Sequence, residues 1–192
     1  MKVEIRSATE AVIEGYVNAV ERESRPIPSI QGTYTEKVAQ GTFQRALNSG
    51  KDVELRFNHE KVIGSMSQGT LELREDTIGL YAKATVTDSE VIEKAKRNEL
   101  RGWSFGFRDN NPKIEDSKRI LTNIELREVS ILTKTPAYIA TSIEMRGEEE
   151  VTLETRGVED VAEVTEIGQE KGQVVNYSNY EKEIELLKIG RG

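Results

Sequence analysis

His59 is the only histidine of the 192-residue chain and stands in the run FNHEK. With a hydroxyl near one ring nitrogen and a carboxylate on the other, an imidazole becomes the base of a nucleophilic site. Without such partners, a lone histidine at a strand end is a surface or packing residue. The clearest hydroxyl is Ser104, in GWSFGF (residues 102–107), with a glycine two positions to either side. If that run is extended, Trp103, Phe105 and Phe107 share one face, and Ser104 shares the other with Gly106. The aromatic face belongs in a core. The missing side chains would let a second backbone lie close to the hydroxyl, as attack on a peptide carbonyl requires. The plainer alternative is a small residue on a crowded strand, with glycines for packing.

The clearest carboxylate is Glu128, in IELREVSILT (residues 124–133). Strict alternation places it among Ile124, Leu126, Ser130 and Leu132. A carboxylate is costly to bury there unpaired, and an imidazole N–H would satisfy it. A salt bridge to an arginine, or exposure at a sheet edge, is the alternative. The three residues run in chain order His59, Ser104, Glu128, and such triads are defined by geometry rather than order.

The elements that must position them are mostly strands. VEIRS and AVIEGYVNAVE form a strand pair or one bent strand. Pro26 and Pro28 interrupt, and SIQGTY is expected as loop. In TEKVAQGTFQRALNSG, Phe43, Ala46 and Leu47 have helical spacing, with Thr35 as a candidate cap and Gly50 as the end. DVELRFNHE alternates Val53, Leu55 and Phe57 against charged residues, a half-buried strand that puts His59 on the face of Phe57. LEL and LYAKATV read as a hairpin turning around Glu75–Gly79. SEVIEKAKRNEL is a short amphipathic helix, Ser89 its candidate cap and Val91, Ile92 and Ala95 its inner face. GWSFGFR, KRILTNIELREVSILT and YIATSIEM add strand-like segments. The pattern predicts a mainly antiparallel sheet or barrel with a few short helices, mostly β or α+β.

From about Gly147 the chain turns acidic, with scattered apolar residues. Residues 1–146 read as one domain and 147–192 as an acidic, mobile tail, with a short helix over NYEKEIELLK. The formal charge of −7 argues against broad nucleic-acid binding. There is no cysteine, which removes disulfides, thiolate zinc sites and cysteine nucleophiles. One histidine argues against a multi-histidine metal site; a carboxylate-only calcium or magnesium site stays open, but no EF-hand spacing is present and no cofactor is expected. The N-terminus lacks an apolar targeting core, and no stretch approaches the ~20 apolar residues of a membrane span. A soluble, cytosolic chain without membrane contact is expected.

FNHE, GTLELREDTIGLYAKATV, RGWSFGF and LREVSILTKTPAY, in that order, resemble the prohead (head maturation) proteases of tailed bacteriophages and prophages. GYVNAVERES and VAQGTFQRAL resemble that family's opening segment, and the likeness covers roughly residues 10–145. The family is similar to the herpesvirus assemblins, whose third catalytic member is a second histidine, at a position corresponding to Glu128. The resemblance implies an assemblin-like antiparallel β-barrel core and a serine endopeptidase with His59, Ser104 and Glu128 as its triad. Glu60 stands where many relatives have Asp. The oxyanion hole would fall at Thr133–Thr135, with Lys134 as a helper. Implied substrates are the major capsid protein, its scaffold segment and the protease itself, cut inside the assembling prohead in the host cytoplasm. A homodimer is implied by analogy.

Two other readings stay open. The chain could be an inactive structural or scaffolding component of the head with the same fold. It could also be an esterase, though no G-x-S-x-G elbow is present.

Overall fold

Alternation of apolar and polar residues dominates this chain, and strands result. The computed structural model describes residues 1–29, 32–111, 114–133, 140–146, 149–159 and 162–166. The elements in chain order are β1 (Lys2–Ile5), β2 (Ala11–Ala19), β3 (Ile27–Ser29), β4 (Gly32–Val38), α1 (Thr42–Asn48), β5 (Glu54–Phe57), β6 (Lys61–Ser65), β7 (Leu71–Glu75) and β8 (Gly79–Val86). There follow α2 (Ser89–Lys96), β9 (Gly102–Asp109), β10 (Ile114–Glu115), β11 (Lys118–Leu121), β12 (Ile124–Leu132), β13 (Ala140–Arg146), β14 (Glu149–Glu159) and β15 (Glu163–Glu166).

They form three sheets. One has the order β15-β1-β2-β8-β7, a second β10-β11-β4-β3, and the third β13-β14-β9-β12-β5-β6. Most pairs are antiparallel; β1/β15, β4/β11 and β5/β12 are parallel. The expected mostly-β class with short helices holds, but the sheets do not close into a barrel. The core lies between the first and third sheets. Trp103, Phe105 and Phe107 are fully buried there, with Phe105 stacked on Phe107 and met edge-on by Phe43 of α1. Burying each such ring contributes about 1.5–3 kcal/mol. Gly15 of β2 lets the first sheet come close to β9: a Cβ there would lie 3.2 Å from the Trp103 ring nitrogen.

Several local expectations change. Thr35 caps nothing, because 32–38 is a strand paired with β11 and β3, and of the SIQGTY stretch Ser29 and Gly32–Tyr34 belong to the β3–β4 pair. The helix starts only after Gly41, whose φ of 81° suits glycine. Its first amides are met by Glu75 of β7, which accepts from the N–H groups of Gly41 and Gln44. Asp88, not Ser89, caps α2, accepting from the N–H groups of Glu90 and Val91. KRILTNIELREVSILT is two strands in different sheets, broken at Thr122–Asn123.

Beyond residue 146, β14 pairs with both β9 and β13, and β15 pairs with β1. There β14 is held along β9 by backbone pairing and by the ion pairs of Glu154 with Arg119 and of Arg156 with Glu36. The expected helix over 181–188 lies outside the described residues.

Candidate active site

His59 sits on a turn rather than on a strand. β5 stops at Phe57, and the Glu60 N–H donates back to the Phe57 carbonyl. Asn58 and His59 both have positive φ, 52° and 66°, the combination that a tight type I′ hairpin turn demands. Asparagine tolerates this region, which is strained for most residues. Two such residues reverse the chain, so the alternation of β5 does not carry through to His59. Its ring therefore lies with Arg56 and Glu128, not on the face of Phe57. The turn is fastened to the end of β12. Asn58 donates its N–H to the Ile131 carbonyl, and its Oδ1 accepts from the N–H and hydroxyl of Thr133.

Glu128 reaches the site through a β-bulge. Leu126 lies opposite Phe107 and Glu128 opposite Gly106, so Arg127 is the extra residue. The bulge flips the alternation. Ile124 and Leu126 face the core before it, and Val129 and Ile131 after it. Glu128 and Ser130 share the opposite face with Ser104 and Gly106.

There the Glu128 side chain is only 1% exposed. One of its oxygens is bonded, Oε1 lying 2.5 Å from His59 Nδ1, while the buried Oε2 has no hydrogen-bond partner. With the carboxylate ionised, the Nδ1–H donates, and the other ring nitrogen is left as a proton acceptor. Arg56 Nε is 3.0 Å from the second oxygen, but its hydrogen points to Glu54 Oε2, at 2.7 Å. Arg56 thus supplies charge to Glu128 rather than an aligned hydrogen bond, and its Nη1 donates to the His59 carbonyl. Gly106 makes room for this carboxylate; a Cβ there would lie 2.6 Å from Glu128 Cγ and 2.8 Å from Oε1.

Ser104 faces away from the aromatic core, as alternation predicts, yet is only 1% exposed. Its hydroxyl donates to the Arg156 carbonyl of β14 at 2.8 Å. Among the described contacts no hydrogen bond joins it to His59. Ser130 is register-paired with Ser104, and its buried hydroxyl has no partner. Of the expected oxyanion region, the Thr133 N–H is committed to Asn58, while Lys134 and Thr135 lie outside the described residues.

A histidine held by a buried carboxylate and a glycine-flanked serine on the same sheet face are the residue types that acyl transfer uses. A model of the caudovirus prohead serine protease family matches residues 1–155. The chain belongs to that family. No curated protein and no solved structure gives a match. As a prohead serine protease it is a hydrolase of phage capsid maturation. No helix among the described residues is long and apolar enough to cross a membrane, and no group of metal-ligating side chains occurs among them.

The sequence alone missed three contributors to this candidate site. Arg56 was hidden because Glu54, Arg56 and Glu128 come to one face only through the bulge and the parallel β5/β12 pairing. Asn58 left a faint signal, as an asparagine beside a strand end. Arg156 was masked by the acidic composition around it.

Proposed function

We propose that this prohead protease cleaves by a Ser104–His59–Glu128 mechanism. The observation that carries the reading is the His59–Glu128 bond, made by a buried carboxylate on the face that also bears Ser104. His59 accepts the Ser104 proton through the nitrogen not held by Glu128, as the serine oxygen attacks the scissile carbonyl. The imidazolium then gives its proton to the leaving amine, and water repeats the sequence to release the acyl group. Glu128 holds the tautomer and steadies the imidazolium. The oxyanion is met by donors in the Thr133–Thr135 stretch, past the committed Thr133 N–H, with Lys134 as a helper; each such donor contributes about 3 kcal/mol.

The substrates on this reading are the major capsid protein, its scaffold segment and the protease itself, within the prohead. The catalytic unit is residues 1–146 with the following segment an appendage, and the active form is a homodimer. Co-expression with the capsid protein, followed by mass spectrometry of its new N-terminus, tests the reading; Ser104→Ala should leave the capsid protein whole.

One observation favours a second reading, an inactive structural component of the head: the Ser104 hydroxyl is bonded to Arg156 rather than to His59. A fluorophosphonate that labels Ser104 excludes it.

A further inference from the structure

We propose that β14 occupies the seat of the substrate strand, and that this seat selects an extended peptide with a basic side chain just before the cleaved bond. The proposal rests on the reading of Ser104 as the nucleophile and names what that site accepts.

Three observations meet at β14. First, it lies antiparallel along β9, with Gly157 opposite Ser104 and Arg156 opposite Phe105. Without β14 and the β13 beyond it, the serine strand would be the edge of its sheet, with a bare row of backbone donors and acceptors. An extended peptide adds to such an edge by main-chain hydrogen bonds.

Second, the Arg156 carbonyl takes the Ser104 hydroxyl, at 2.8 Å. A tail backbone thus lies where a substrate carbonyl must come. The contact is a resting one. A hydroxyl donating to a carbonyl oxygen is not attacking the carbon, and its proton has not been passed to His59. The family match ends at Thr155, so Arg156 and Gly157 lie just past the part held in common.

Third, the Arg156 side chain enters a slot built by the second sheet. Its Nε and Nη2 donate to the two oxygens of Glu36, at 2.7 and 2.9 Å, and its guanidinium lies over the Phe107 ring at 5.2 Å. Glu36 is register-paired with Arg119, which bonds Asp109 and also Glu154 of β14. With the two β14 residues removed, Glu36 and Asp109 would face Arg119 alone. Two buried carboxylates against one guanidinium leave a slot short of one positive charge. A bidentate fork over an aromatic ring suits arginine better than lysine. The residue whose carbonyl meets Ser104 is the one whose side chain fills this slot, so cleavage should follow arginine, and lysine less well.

Hydrogen exchange on the full wild-type chain tests displacement without relying on activity. The probes are a synthetic peptide of residues 149–160 and the same peptide with Arg156→Ala. The arginine peptide in excess should raise exchange of the chain's own 149–159 segment, and the alanine peptide should not. No rise with either peptide overturns the displacement, and an equal rise with both overturns the basic slot. In parallel, the full-length Arg156→Ala variant should label Ser104 with a fluorophosphonate roughly ten-fold faster than wild type, as expected when one buried charge pair holding the strand is lost. Folded variant labelled at the wild-type rate or slower overturns the occlusion; if that variant does not fold, the wild-type exchange result decides. Displacement without any Ser104 labelling would leave the strand seat standing and remove the nucleophile instead.

Discussion

At Gly106 one methyl group reaches the carboxylate that holds His59. The Cβ of Gly106→Ala would collide with Glu128 Cγ and Oε1, on a side chain too buried to swing away freely. The expected result is a folded protein destabilised by about 1–3 kcal/mol, with turnover reduced more than its thermal midpoint suggests. Glu128→Gln keeps the shape but offers His59 an amide that can hold the wrong tautomer. Turnover should fall by roughly 10³–10⁴ in peptide assays, by analogy with the acid of other serine protease triads. Near-normal rates would shift the role to another acid, with Glu60 the first to test. Ser104→Ala removes a single bond to the Arg156 carbonyl, a loss of about 1 kcal/mol. It should unfold at nearly the wild-type denaturant concentration while losing fluorophosphonate labelling and capsid processing altogether.

Among the elements, β14 is held by charges and should respond to acid. Burial alone would raise the Glu154 pKa, but hydrogen bonds and attraction from Arg119 and Arg156 outweigh it and hold the group below the ordinary glutamate range. Burial would likewise lower the Arg156 pKa, and its bonds to Glu36 and Glu154 hold it above the ordinary value instead. A depressed carboxylate contributes stability above its unfolded pKa, and that stability is lost as pH falls through the folded one. Arg119 and Arg156 stay charged throughout, so protonation of Glu154 leaves two cations facing only Glu36 and Asp109. Exchange protection of residues 149–159 should therefore fall below pH ~4.3 before that of β9 and β12 does. Helix α2 depends on Asp88, whose side chain accepts from two amides at the helix start and pairs with Lys61 at 2.7 Å. Asp88→Ala should cost about 1 kcal/mol, a drop of about 2–4 °C in Tm, without changing the rate of Ser104 labelling.

For the whole molecule, the strand after residue 146 is both part of a sheet and a cover for the site. A chain ending there would keep the aromatic core, the His59 turn and the Glu128 bulge, while leaving β9 as an open edge. It should cleave a basic peptide at least as fast as the full chain. It should also self-associate more readily, because a bare edge pairs with other chains, and be recruited poorly into assembling heads. Sedimentation and peptide turnover, measured on both lengths, check the first two, and co-purification with proheads checks the third. Slower turnover in the short chain would make β14 a supporting strand of the catalytic unit.

Alternation in DVELRF and GWSFGF was enough to name the core-facing residues of β5 and β9, since side-chain direction in a strand depends only on parity. The same local rule picked out Ser104 as facing away from its aromatic neighbours. Parity breaks wherever the backbone departs from an extended path, and two such departures build this site. The left-handed Asn58–His59 turn and the bulge after Leu126 each redirect a side chain, and a bulge is known only from what lies opposite it. The meeting of Arg156 with Glu36 spans 120 residues, and no local pattern encodes a pair at that separation. The fold class was therefore decided by local chemistry along the chain, while the company kept by His59, Glu128 and Ser104 was decided by which strands the core brought side by side.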